Sequence, residues 1–430
     1  MKTRFDILNV ITPFILVVIV LVLTLSKKKE AVSDLEKRKL AELPQFNLKN
    51  WLNGSFASSV DDYLADHVIY RNSFIALADD CKKLYNYRLN SSQISPTEGV
   101  MVKVISQKLP QGKKGTALLI DQSNSSKVML DTNQELVTTE GIYIYDSCAY
   151  QFFGGSKNSA GRYAKSVNAL RANLGDTIKF YSLLVPSATE FFLPKEKYKG
   201  KSSSEEANMI FLFGKLSPNI LITNIYKRLA SHNREYLFFK TDHHWTARGA
   251  YYAYLDFSEV AGFSPTPIDQ MKPTYMKSNF LGSLYALTRD FSLKGNPDRI
   301  EYFDINFHGA TAYYKMNPTD HWSKTQIINK KKEFGLGYGV FLGIDYPVMK
   351  IDGPLKNGRI LLIIKDSYAN AFIPFLVAHF EKIYVADIRY FPFKITPFIH
   401  ENHINEVLVM NHIVTANSPF ASNKLIKLIK

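Results

Sequence analysis

Read for where apolar side chains recur, the chain opens on its most extreme feature. Residues 7–25 carry no charge, and only Asn9, Thr12, Pro13 and Thr24 interrupt their hydrophobicity. That length approaches the roughly 20 residues that cross a bilayer's hydrocarbon core. Lys2 and Arg4 precede the run, Lys27-Lys28-Lys29 follow it, and there is no small-x-small cleavage site. The expectation is an uncleaved signal anchor, a transmembrane helix within residues 1–29. Residues 30–90 are charge-rich, partly helical in pattern and punctuated by Pro44, as in a juxtamembrane segment packing on a larger domain.

Past residue 90 the pattern switches repeatedly between two periods. Residues 141–145 read as a strand, 162–174 as a helix ended by Gly175, and 179–185 as a strand stopped by Pro186. Residues 236–239 are short and apolar, and 246–261 are helical with Gly262 as a stop. A continuous apolar run at 359–364 has the look of a strand buried on both faces. A helix over 368–380, kinked at Pro374, and strands at 383–386 and 407–410 follow. Strands alternating with helices predict an α/β domain over 91–430 with a largely parallel sheet. Residues 265–350 are less regular and read as an insertion or cap.

Composition changes this picture little. With 430 residues, 46% hydrophobic and 21% charged, the chain is neither disordered nor collagen-like. A net charge of +14 invites a nucleic-acid reading, but no nucleic-acid module accompanies it. A basic surface fits an anionic envelope or an acidic polymer equally well. Two cysteines, Cys81 and Cys148, exclude a disulfide scaffold and a four-thiolate zinc site; whether they pair is left open.

Candidate chemistry gathers in two places, each between a strand pattern and a helix pattern. One is Thr241-Asp242-His243-His244-Trp245, the other Lys365-Asp366-Ser367-Tyr368-Ala369-Asn370. Loops at the carboxyl ends of parallel strands are where α/β sheets place ligands. A serine hydroxyl becomes nucleophilic when a neutral imidazole takes its proton, and a carboxylate on the other ring nitrogen fixes the tautomer. Asp242 and His244 are two apart, so an extended loop turns both to one side; His243 stands as the alternative base. Asp366 reads as a cap of the following turn. Thr319-Asp320-His321-Trp322 echoes the first motif one residue short and reads as a surface loop.

Asp242-His243-His244-Trp245 resembles the signature of the DHHW family, SGNH-hydrolase-like proteins related to the alginate O-acetyltransferases AlgJ and AlgX. Tyr63-Leu64-Ala65-Asp66-His67 with Arg71 and Phe74-Ile75 resembles the family's N-terminal motif. Phe341-Leu342-Gly343, the Ser367 block and Asp387-Ile388-Arg389-Tyr390 resemble its C-terminal blocks, in order. The resemblance implies an SGNH-like three-layer sandwich in which Asp–His precedes Ser, the permuted AlgJ/AlgX order. The stretch after Ser367 has room to finish the sheet, as in the AlgJ layout without a carbohydrate-binding module. It implies Ser367 as nucleophile, His244 as base and Asp242 as its partner, with Tyr368, Asn370, Gly343 and Arg389 as oxyanion or substrate-binding candidates. For Arg389 a buried ion pair is the alternative, and for Asp66, His67 and Arg71 a bracing role stands beside a catalytic one.

The function so implied is an extracytoplasmic, membrane-anchored O-acyltransferase, acetylating a cell-surface or exported polysaccharide. Its acyl group would come from a membrane-bound O-acyltransferase partner, and no metal or cofactor is called for. The positive-inside count alone favours a cytoplasmic body, but long domains translocate regardless of it. Alternatives are an acetylesterase with the same triad, a non-catalytic scaffold, and a metallohydrolase drawing on His243, His244, His400 and His403, for which no complete ligand set is apparent.

Overall fold

The computed structural model describes residue 24, residues 32–33, 38–52, 55–68, 101–102, 116–120 and 127–131, and residues 141–429 apart from 277–278, 306, 308 and 330–336. Apart from Thr24, the expected anchor over 7–25 lies outside the described residues, as do Arg71, Phe74, Ile75 and Cys81. Among those described, no helix is long and apolar enough to cross a membrane.

The chain forms two compact units, residues 1–98 with 120–127, and residues 99–119 with 128–430. In the first, a helix Ser55–His67 carries the N-terminal motif. Its Asp66 accepts the Ala41 N–H at 2.8 Å, and His67 stacks on Tyr63 and bonds the Tyr63 carbonyl through Nδ1. The Asp66 bond ties the helix to the segment that leads into it.

The second unit is a mixed α/β structure on an eight-stranded sheet. A hairpin, β1 (Ile142–Tyr145) and β2 (Cys148–Gln151), precedes it. The sheet holds β3 (Lys179–Val185), β4 (Leu221–Thr223), β5 (Thr311–Lys315), β6 (Ser323–Thr325), β7 (Val348–Asp352), β8 (Ile360–Lys365), β9 (Lys382–Asp387) and β10 (Glu406–His412). Their order across the sheet is β6-β5-β7-β9-β8-β10-β3-β4. The five strands from β9 to β4 are parallel, and β7, β5 and β6 add an antiparallel edge. The irregular 265–350 stretch therefore supplies strands of the main sheet as well as loops beside it.

Strand alternation divides the core into two layers. Leu361 and Ile363 of β8 join one cluster with Leu408, Met410, Phe372 and helix α3 (Ala247–Ala261). Leu362 and Ile364 join the other with Val407, Val409 and helices α1 (Lys157–Asn173), α2 (Glu205–Phe213), α4 (Ile395–Glu401) and α5 (Pro419–Ile429). A strand covered on both faces needs an unbroken apolar run, which is why β8 reads Ile-Leu-Leu-Ile-Ile. Each such fully buried aliphatic side chain contributes about 1.5–3 kcal/mol.

Two expectations need correction. Residues 236–239 are no strand of the sheet; Phe238 makes a single antiparallel bridge to Trp245, closing a loop on itself. The expected helix over 368–380 is two short turns, Ser367–Ala371 and Ile373–Leu376. Pro374 has no N–H to give and its ring crowds the turn before it, so it sits in the first turn of Ile373–Leu376 and the break falls ahead of it.

Candidate active site

β8 delivers its chemistry at its carboxyl end. Lys365 is its last residue, Asp366 caps the next turn, and Ser367 heads that turn. Asp366 accepts the N–H groups of Tyr368 at 3.1 Å and His412 at 2.7 Å, tying the turn to the end of β10. Burial pushes the Asp366 carboxyl up. The Ser367 N–H is one of the amides that a helical start leaves without an intrahelical acceptor.

The second loop is pinned from several sides. Phe239 N–H donates to the His244 carbonyl at 3.1 Å and Thr246 N–H to the Leu237 carbonyl at 2.8 Å, closing residues 240–245 into a tight bend. Thr246 then caps α3 through Gly249 N–H. Asp298, itself buried, accepts the N–H groups of Lys240 and Thr241, each at 2.8 Å. Gly282 lies so close that a Cβ there would come 2.2 Å from Asp242 Cβ; only glycine permits the approach.

These loops meet in one hydrogen-bonded line. Asp242 Oδ1 lies 2.6 Å from His244 Nδ1, and His244 Nε2 lies 2.7 Å from Ser367 Oγ. Asp242 also accepts the N–H of His244 at 2.9 Å and, on Oδ2, that of Ser283 at 2.8 Å. All three side chains are nearly out of water, at 5%, 1% and 6% exposure for Asp242, His244 and Ser367. Burial alone would raise the Asp242 carboxyl, but the adjacent His244 and His243 rings and the bonds from His244 and Ser283 hold it well below the usual carboxylate range. Such an arrangement can hold a proton between oxygen and nitrogen while orienting the ring.

His243 faces elsewhere. Its Nδ1 bonds Ser283 Oγ at 2.7 Å and stands 3.9 Å from Asp242. Burial and the neighbouring His244 push it down to about 3, so it stays neutral. Of the two histidines, His244 is the one that touches both Asp242 and Ser367. The ligand atoms of Asp242, His243 and His244 lie within 4.8 Å of one another, but both nitrogens of His244 and Nδ1 of His243 are engaged by protein partners. His400 and His403 precede β10, at the end where Asn405 pairs with Ile360; Ser367 follows the other end of β8, roughly 20 Å of strand away. The four histidines are not brought together.

The remaining candidates are built into the walls. Tyr368 is buried, stacks on His412 (4.2 Å, 8°) and gives its hydroxyl to the His243 carbonyl. Asn370 donates to Asp345 at 2.8 Å. Arg389 pairs with Asp345 at 2.6 Å and Asp387 at 2.7 Å, and Lys365 pairs with the same two carboxylates at 2.6 and 2.7 Å. Two cations and two carboxylates thus balance where β8 and β9 end, at Lys365 and Asp387. Gly343, at φ +84 after Leu342 at φ +63, donates its N–H to the Gly339 carbonyl at 3.1 Å. Trp245 donates to the Tyr368 carbonyl at 2.8 Å, a structural role. The shortened echo at 319–322 is a surface turn, in which Asp320 caps the N–H groups of Met316 and Asn317.

Ser283, Asp298, Tyr338 and Asp345 escaped sequence reasoning. All four come from 265–350, where no motif marks them. Gly282-Ser283 ahead of Leu284 is the one available signal, since a Gly-Ser pair before an apolar turn is a helix start.

A family model described as DHHW protein matches residues 36–101 and 124–386. A DHHW family protein from Eubacterium siraeum is 31% identical, with a TM-score of 0.60, over 66% of this chain and 94% of that one. Bacillus cereus PatB1, solved also with a sulfonyl adduct, is 20% identical with a TM-score of 0.55, over 65% of this chain and 97% of its own, a likeness of fold. The O-acetyltransferase domain of Pseudomonas putida AlgJ is 12% identical with a TM-score of 0.37, over 73% of this chain and 99% of that one. No curated protein matches.

Proposed function

Because the chain belongs to the DHHW protein family, and because a serine, an imidazole and a carboxylate stand in one line, we propose that it is an O-acyltransferase working through an acyl-enzyme. The 2.7 Å contact between Ser367 Oγ and His244 Nε2, with Asp242 behind the ring, carries the reading. We read the layers as SGNH-like, with the Asp–His block ahead of the Ser block.

Ser367 Oγ attacks the carbonyl carbon of an acyl donor as His244 Nε2 takes its proton. Asp242 holds the imidazolium, and the Ser367 N–H faces the developing oxyanion. Collapse expels the donor's leaving group with that proton and leaves the acyl group on Ser367. An acceptor hydroxyl then gives its proton to His244 as its oxygen attacks the acyl carbon; the bond to Ser367 breaks, His244 returns the proton to Ser367 Oγ, and the new ester leaves. The motif resemblance to alginate O-acetyltransferases supports acetyl as the group and a polysaccharide hydroxyl as the acceptor. The uncharged run at 7–25 supports an anchor, and the motif resemblance supports a body outside the cytoplasm that receives acyl groups from a membrane-bound partner. Ser367→Ala should lower acetyl transfer to an oligosaccharide by about 10⁴-fold or more; undiminished transfer would sink the mechanism. Product partition between oligosaccharide and water separates transferase from esterase.

A further inference from the structure

We propose that Tyr338 is a positioning residue for acyl transfer: its ring holds His244 in line with Ser367, and its hydroxyl holds the turn that carries Ser367. The inference rests on the triad reading above.

No motif marks Tyr338, which begins a short turn, Tyr338–Val340, in the irregular stretch. Its ring lies parallel to the His244 imidazole, with centroids 3.8 Å and planes 7° apart. The His243 ring also lies 3.8 Å from that of His244, tilted by 37°. A ring held against flat neighbours cannot swing out of the line from Asp242 to Ser367 without displacing them. The stack also gains with the reaction. Once His244 holds the serine's proton, a cation lies on the electron-rich face of a phenol, a favourable contact absent from the resting state. An interaction present only after proton transfer speeds the chemical step and leaves substrate binding unchanged.

The other end of the side chain reaches the nucleophile's backbone. The Tyr338 hydroxyl donates to the Tyr368 carbonyl at 3.0 Å and accepts the Ala371 N–H at 3.4 Å. Both groups belong to the turn Ser367–Ala371. Burial pushes the phenol well up, so it remains a donor. One side chain thereby touches the base and the strap of the nucleophile. A tyrosine that only filled core would be replaceable by phenylalanine, with a change in stability alone.

The test takes the full chain with an activated acetyl ester, comparing Tyr338→Leu, Tyr338→Phe and Ser367→Ala with the parent. Expected are kcat losses of about tenfold or more for leucine and about threefold for phenylalanine, with KM within twofold in both. The partial rescue by phenylalanine separates the ring's part from the hydroxyl's. A leucine variant within twofold of the parent kcat, or a loss confined to KM, overturns the assignment. If the leucine variant does not melt cooperatively, phenylalanine decides alone, and an unchanged kcat overturns it. Ser367→Ala at the parent's rate would overturn the triad and this inference together; its inactivity beside unaffected Tyr338 variants overturns the tyrosine alone.

Discussion

Asp242 is held from several sides at once. It bonds both the ring and the backbone N–H of His244, takes the Ser283 N–H and admits Gly282 against its Cβ. An amide there keeps the shape but cannot hold the ring as a carboxylate does. Asp242→Asn should lower kcat by about 10³–10⁴-fold with little loss of stability, read by kinetics beside thermal melting. Gly282→Ala pushes a methyl into the carboxylate and should cost about 10²-fold in kcat by displacing it; an alanine variant with the parent's rate would show that the close approach has no consequence. The Asp-x-His spacing and the lone Ser block were legible because they sit within short motifs. Ser283, Asp298, Tyr338 and Asp345 were not, since each acts across 20 or more positions of chain with no spacing to betray it.

Among elements, those fixed by local periodicity read well and those fixed by tertiary contact did not. The strand Lys179–Val185 and helix Ala247–Ala261 agree with their patterns to within a residue. The apolar 236–239 run misled because burial, not sheet pairing, demands its hydrophobicity. The 368–380 run misled for the same reason, with Pro374 deciding against a helix. Helix α2 yields a pH prediction. Its first residue, Glu205, is buried against Ser187, whose N–H it accepts at 2.6 Å, and burial raises its carboxyl to about 8. The folded state thus favours the protonated acid, so this contribution is complete below the unfolded carboxyl range, near 4.5, and is lost as pH rises towards 8. The slope is at most about 1.4 kcal/mol per pH unit. Glu205→Gln should flatten stability over that window in urea titrations; an unchanged slope contradicts the assignment. The ion cluster at the carboxyl ends of β8 and β9 yields a stability prediction. Asp345→Ala leaves Lys365 and Arg389 facing one carboxylate and should cost about 3–5 kcal/mol, measured by denaturant unfolding.

At the scale of the whole molecule, alternating strands and helices were enough to anticipate an α/β layer structure. The antiparallel edge β7-β5-β6 was not anticipated, because short half-exposed strands lack the continuous apolar run that marks β8. The basic excess follows the same logic, a surface property compatible with an anionic envelope and separate from the buried site. If residues 7–25 anchor the chain, the full protein should sediment with membranes, resist salt and alkaline extraction and be released by detergent, while a chain starting at residue 30 should stay in the supernatant; release of the full protein by alkali would remove the anchor. The central claim is that an acyl group passes through Ser367. Its most direct measurement is peptide mass mapping of the full chain quenched during turnover of an activated acetyl ester, before and after adding oligosaccharide. Acetyl is expected on the Ser367 peptide alone, absent in His244→Ala and discharged onto the sugar. Acetyl on another residue, or product formed by Ser367→Ala at the parent's rate, would contradict it.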